Sequence, residues 1–254
     1  MMPLTLGDLF PSATVFGLLC LVTVVAGALR GFSGFGSNLL LAPVYSLFMA
    51  PTDVVVVILL LNLVTVLQML PQALRSVQWP LVISLFVPSL FGIPLGLILL
   101  HTVDAVLLRR FIAIVVTVMS VILLSGWHYK GRRGTLQNSI AGLTSGCLTA
   151  LAGIGGPPVL LYLLSGQSHP PTTLRSVFIV YFGMAQLATL IPLLINGSVA
   201  VSQVAYAGSL LPVYLLATAA GLIAHQRMVH KREQSIRTIS LLLLLAIGIT
   251  TCFV

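Results

Sequence analysis

Between Asp8 and Arg30 the chain carries no charged residue, and none again between Arg30 and Asp53. Uncharged runs of that length restrict what the chain can become. A helix needs about 20 predominantly apolar residues to cross the hydrocarbon of a bilayer, and most of this chain is made of such stretches. Only 6% of its 254 residues are charged and 58% are apolar, where soluble domains carry about a quarter charged. The mean hydropathy of +1.14 agrees. The expected class is all-α, a polytopic helical membrane protein.

The net charge of +8 would suggest nucleic acid in a soluble chain. Here the basic residues sit in short loops, so they are read as topology and lipid-contact signals, with no nucleic-acid partner. Cys20, Cys147 and Cys252 fall inside apolar segments without metal-ligand spacing and read as small core residues. No metal or cofactor is expected. The leader before the first apolar stretch contains Asp8 and no Lys or Arg, so that stretch is expected to stay as a membrane segment and not to act as a signal peptide.

Glycine and proline divide the chain. A segment at 11–29 ends in a glycine-rich interruption, Arg30-Gly31-Phe32-Ser33-Gly34-Phe35-Gly36-Ser37-Asn38. A short apolar piece, 39–50, stops at Pro51. Spans are then expected at 54–70, closed by Pro71, and at 81–100 and 111–127, with 101–110 as a short turn. The second half repeats the order: 139–151, the interruption Ala152-Gly153-Ile154-Gly155-Gly156-Pro157-Pro158, a short piece at 159–164, and spans at 174–195, 201–224 and 239–254. Gly34 and Gly36 map onto Gly153 and Gly155 at one offset, 119 residues, which also carries Pro51 onto Pro170. The expectation is two inverted halves, 1–133 and 134–254, in one integral membrane domain. Each half has a glycine-broken segment, re-entrant or discontinuous, plus three spanning helices. Paired interrupted segments in corresponding positions are the best sequence pointer to a transporter's binding site.

Charge tests the topology. If each interrupted unit is a hairpin returning to its own side, one side receives Arg75, Lys130, Arg132, Arg133, Arg227, Lys231, Arg232 and Arg237, and the other receives Arg109 and Arg110. If each unit crosses once, the segregation is lost: Arg75 and the basic residues at 130–133 face Arg109, Arg110 and the basic residues at 227–237. The positive-inside rule favours hairpins, with both termini outside.

Non-helical backbone at membrane depth is tolerated only where it is buried in protein or lines a wet cavity. Glycines there expose amides, and a following half-helix aims its N-terminal amides into the gap, which suits an anion. Arg30 adds a forked permanent charge matched to oxyanions. The candidate site is therefore Arg30, Gly31, Ser33, Gly34, Gly36, Ser37 and Asn38 from the first interruption. The second supplies Thr149, Gly153, Gly155, Gly156 and Pro157, with Arg175 beyond them. The competing reading makes the glycines packing residues and leaves Arg30 and Arg175 as helix-end anchors. Asn62 and Gln186 are uncharged polar residues within spans and read as bonding neighbouring helices. Pro88, Pro94, Pro192 and Pro212 are expected to kink their helices.

Arg-Gly-Phe-Ser-Gly-Phe-Gly at 30–36, with the apolar run to Pro43, resembles the first signature of the TauE/SafE sulfite exporter family. Gly-Ile-Gly-Gly-Pro-Pro at 153–158 resembles its other signature. The resemblance extends over essentially the whole chain in length, halves and position of the interruptions. It implies a multi-pass permease of the bacterial inner membrane that moves sulfite, sulfonates or related sulfur-containing anions outward. Its partners would be a small anionic substrate and membrane lipid, with oligomerisation left open.

Other readings fit less well. Gly31-Phe32-Ser33-Gly34 spells the Gly-x-Ser-Gly of intramembrane serine proteases, but a serine nucleophile needs a nearby His base. All five His, at 101, 128, 169, 225 and 230, lie in loops or at span ends. No enzyme activity is expected. A passive anion channel and a non-transporting scaffold are the remaining alternatives. Asp8, Asp53, Asp104 and Glu233 all lie near expected segment ends, so proton coupling through an intramembrane carboxylate has little support.

Overall fold

A computed structural model of the chain describes residues 12–125, 134–164 and 170–228. The expected last span at 239–254 and the basic clusters at 128–133 and 230–237 lie outside the described residues. Those described form helices joined by short connections: α1 Ala13–Ser33, α2 Ser37–Tyr45, α3 Pro51–Ala73, α4 Trp79–Thr102, α5 Ala105–Leu124, α6 Thr135–Ala152, α7 Gly156–Leu164, α8 Pro171–Ile195 and α9 Val201–Met228. There is no strand among them. Five helices, α1, α3, α4, α8 and α9, are long and apolar enough to cross a membrane, as the uncharged runs require.

Several boundaries differ from expectation. α1 continues through Arg30 to Ser33, so these residues form its last turn and the non-helical stretch shrinks to 34–36. Pro71 does not close α3, whereas Pro88, Pro94, Pro192 and Pro212 lie inside their helices, where they were expected. The expected turn at 101–110 is mostly helical: Asp104 caps α5 by accepting from the amides of Val106 and Leu107, which starts the helix before Arg109.

Small residues set the packing. On α1, Gly27 lies against Tyr214 and Ala217, and Gly31 lies against the backbone of Thr218 and Leu222. On α4, Gly92 and Gly96 lie against the backbone of Leu143 and Cys147, while Gly142 and Gly146 of α6 meet Leu85 and Ser89. A Cβ at Gly31 would overlap the Thr218 carbonyl, so the glycine permits the approach. These small-xxx-small seams let backbones touch, the main source of helix affinity where lipid is as apolar as leucine. In both seams the residue numbers rise together, so α1 runs parallel to α9 and α6 runs parallel to α4. Contacts between α3 and α8 complete the interior, and Val54 to Leu59 of α3 are buried on all sides.

Two further bonds join the ends of the central helices. Asp53 near the start of α3 accepts from Gln203 near the start of α9 at 2.6 Å. Ser76 beyond the end of α3 lies 2.8 Å from Ser176 near the start of α8. α2 folds back along α1, with Tyr45 Oη 2.6 Å from Thr23 Oγ1.

Candidate functional site

α1 and α6 each end on a left-handed glycine. Gly34 has φ 85° and its amide bonds back to the Arg30 carbonyl; Gly153 has φ 71° and bonds back to Thr149. An L-residue is disfavoured in that conformation, whereas glycine ends a helix there without strain. The chain then turns into the short helices α2 and α7. No side chain caps the N-terminus of α2, so its first amides keep donor capacity. At α7, Pro157 and Pro158 preset the helical φ but have no N–H, which leaves fewer donors there than the glycine content suggests.

The two interruptions touch. Asn38, at the start of α2, donates through Nδ2 to the carbonyl of Gly153. Its Oδ1 accepts from Asn62 Nδ2 at 2.7 Å, and Asn62 Oδ1 accepts from Tyr214 Oη at 2.8 Å. Ser37 Oγ lies 3.0 Å from Asn38 Oδ1 and 3.3 Å from Asn62 Oδ1. This network joins α2, α3, α9 and the end of α6, and Asn62 and Tyr214 sit near the midpoints of their helices.

Arg30 reaches the same place. It is 3% exposed, its Nη2 donates to the Asn62 carbonyl over 3.4 Å, and its Nε has no partner. The two acidic residues among those described are committed elsewhere, Asp104 to the α5 cap and Asp53 to Gln203. A buried guanidinium without a counter-ion is costly, and a bound anion would offset that cost. The last-turn carbonyls of α1 supply part of the compensation.

A gap opens between the interruptions, lined by the polar side chains of Arg30, Asn38, Thr149 and Gln186, by the apolar ones of Phe35, Leu39, Ile154, Pro157 and Phe182, and by Gly36, Gly153, Gly155 and Gly156. Its volume is about 20 Å³, room for one or two waters and short of what a sulfite-sized anion needs. The aromatic wall is continuous, since Phe35 packs on Phe178 and Phe178 stacks on Phe182.

Of the residues expected at the site, Arg30, Gly36, Asn38, Thr149, Gly153, Gly155, Gly156 and Pro157 come together around this gap. Ser37 stands behind it in the hydrogen-bond network. Four others lie off the lining. Gly31 is the packing residue against α9. The hydroxyl of Ser33 lies 2.7 Å from the carbonyls of both Leu29 and Phe35. Gly34 forms the helix end, under the Cγ of Arg175. Arg175 donates to the Gly31 carbonyl at 2.7 Å and so caps α1 from another helix.

Sequence reasoning left Asn62 and Gln186 as inter-helix polar residues and passed over Tyr214, Phe35 and Phe182. Asn62 does bond neighbouring helices, as expected, and also anchors Arg30. An isolated amide inside an apolar run was the signal available for Gln186; Phe182 and Tyr214 carried none.

A search of characterised proteins and one of solved structures return no match to the chain. The model of one protein family, "Sulfite exporter TauE/SafE", matches residues 19–251, nearly the whole length. With both interruptions inside that match, the chain belongs to the TauE/SafE sulfite exporter family and is a membrane transport protein.

Proposed function

We propose that the protein is a permease for small sulfur-containing anions, sulfite, sulfonates or related species, that it exports them across the inner membrane, and that the cargo binds between the interruptions in a state where the gap is wider than the about 20 Å³ seen here. The observation that carries this reading is Arg30: a buried cation without an acidic partner among the described residues, at the point where Asn38 ties the first interruption to the second. A buried guanidinium with an unbonded Nε and the uncapped start of α2 form a donor set for an oxyanion. The proposed binding residues are Arg30, Gly36, Asn38, Thr149, Gly153, Gly155, Gly156 and Pro157, with Gly31, Ser33, Gly34, Ser37 and Arg175 holding them in place.

In this reading residues 1–133 and 134–254 are halves of opposite orientation, and α1–α2 and α6–α7 are re-entrant hairpins. The parallel seams support it. α1 lies along α9, and α3 begins beside the start of α9 through the Asp53–Gln203 bond, so α1–α2 returns toward its own side. Arg75 and Arg227 then share the cytoplasmic side, in accord with the positive-inside rule. The hairpins enter from opposite faces, and their tips flank the bilayer midplane where Asn62 and Tyr214 sit.

Flux in vesicles tests the proposal. Purified protein in proteoliposomes should give saturable sulfite flux that other sulfur oxyanions compete with. Non-saturable flux would point to a passive channel and absence of flux to a scaffold. An Arg30→Gln variant that inserts and transports like the parent would remove Arg30 from the site.

A further inference from the structure

The permease reading leaves the charge state of the cargo open, and two features of the gap bear on it. The first is charge. Arg30 is the one charged side chain lining the gap among the described residues, because Arg175 turns to the Gly31 carbonyl. A single fixed cation balances a single negative charge. A dianion would leave an uncompensated charge deep in the membrane, where it is expensive.

The second feature is hydrogen-bond polarity. Gln186 is 2% exposed, lines the gap, and its Oε1 makes no hydrogen bond. Thr149 Oγ1 donates its proton to the Ser145 carbonyl at 2.7 Å, so it too presents lone pairs to the gap. A fully deprotonated oxyanion offers only acceptors, so it leaves Gln186 Oε1 without a donor and meets Thr149 Oγ1 with lone pairs of its own. A protonated oxyanion brings one O–H. It can accept from Arg30 and the amides while donating to Gln186.

Resting on the permease reading, we propose that the site takes singly charged anions and that sulfite is carried as hydrogensulfite, its proton donated to Gln186 Oε1. Gln186 is then a specificity-determining residue. Groups on the surrounding helices that bear on a pH response are Arg175 and Tyr181 on α8, Tyr214 on α9, Tyr45 on α2 and Cys147 on α6. His225 stacks edge-on against Phe32 at the far end of α9, off the gap lining. Arginine and tyrosine side chains in general keep their protons through neutral pH, and a control anion removes any contribution from the rest.

The experiment measures initial rates in proteoliposomes between about pH 6 and about pH 8, near and above the ordinary titration of a neutral-range acid. The probes are sulfite, methanesulfonate as a monoanion at every pH, and sulfate as a dianion. At fixed total sulfite the rate should fall several-fold as pH rises, while methanesulfonate flux stays level and sulfate does not compete. Gln186→Met, close to glutamine in shape, should shift the preference for hydrogensulfite over methanesulfonate by about tenfold, the worth of one lost hydrogen bond. Sulfite flux that rises with pH, or equal competition by sulfate, overturns the inference and leaves the permease standing. Equal losses for both anions in Gln186→Met would make Gln186 structural. Absence of flux for every sulfur anion removes the permease reading and this inference together.

Discussion

The two interruptions share a backbone device and differ in chemistry. In each, a helix ends on a left-handed glycine, Gly34 or Gly153, and a nine-residue helix follows. The first brings side chains: Arg30 before the turn, Ser37 and Asn38 after it. The second brings backbone and acceptors: the Gly153 carbonyl, the Gly155 carbonyl held by Ser145, and Thr149, followed by two prolines that donate nothing. Duplicated geometry therefore does not mean duplicated chemistry. Charge enters the gap from the first interruption, the second adds hydrogen-bond acceptors, and both shape it, through Phe35 and Leu39 on one and Ile154 and Pro157 on the other.

Arg30→Gln gives the largest test of that division. Flux should fall at least about a hundredfold, from loss of charge-assisted hydrogen bonds. Thermal stability in detergent should hold or rise, since an unpaired buried charge disappears; a matched loss of flux and stability would instead make Arg30 structural. Asn38→Leu cuts the bond between the interruptions and should lower flux about tenfold, with about 1 kcal/mol lost from the fold. The glycines separate the two interruptions more finely. Gly34→Ala should cost about 2 kcal/mol, combining a strained φ with a Cβ only 2.9 Å from Arg175 Cγ. Gly153→Ala should cost about 1 kcal/mol, because its Cβ would meet Ile58 Cγ2 at an ordinary 3.5 Å. Equal melting shifts would show that the Arg175 contact gives way freely. Thr149→Val is the smallest change, about threefold in flux, the scale of one average hydrogen bond inside a membrane protein.

Much of this organisation was legible before any coordinates. Uncharged runs located four of the five crossing-length helices among the described residues, α3, α4, α8 and α9; the span expected at 111–127 is not among the five, and α1, expected as one arm of an interrupted unit, is. Glycine clusters located both interruptions to within a few residues, because that signal is local. Arg30 to Ser33 was assigned to the interruption and belongs to α1, since Gly31 is tolerated in a helix when a neighbouring backbone fills the space beside it. That neighbour, α9, lies nearly 190 residues along the chain, beyond the reach of any local pattern. Pro71 misled for a related reason. A proline removes one intrahelical bond, and near the end of α3 the surrounding helices make that loss tolerable. The surroundings of Arg30 were hidden in the same way: Gln186, which shares the gap, and Tyr214, which bonds Asn62, look ordinary in their own segments and acquire meaning only across the bundle.

The glycine seams also bear on how the protein is made. Each hairpin finds its close-packed partner far along the chain or well before it, α1 on α9 and α6 on α4. The α6 hairpin meets a helix already synthesised, whereas the α1 hairpin leaves the ribosome long before α9 exists. Its polar tip, with Arg30 and Asn38, must therefore wait in the insertion machinery or against lipid until the final third of translation is done. Long-range closure of this kind is slow, which makes the N-terminal hairpin the portion of a nascent chain most exposed to quality-control proteases.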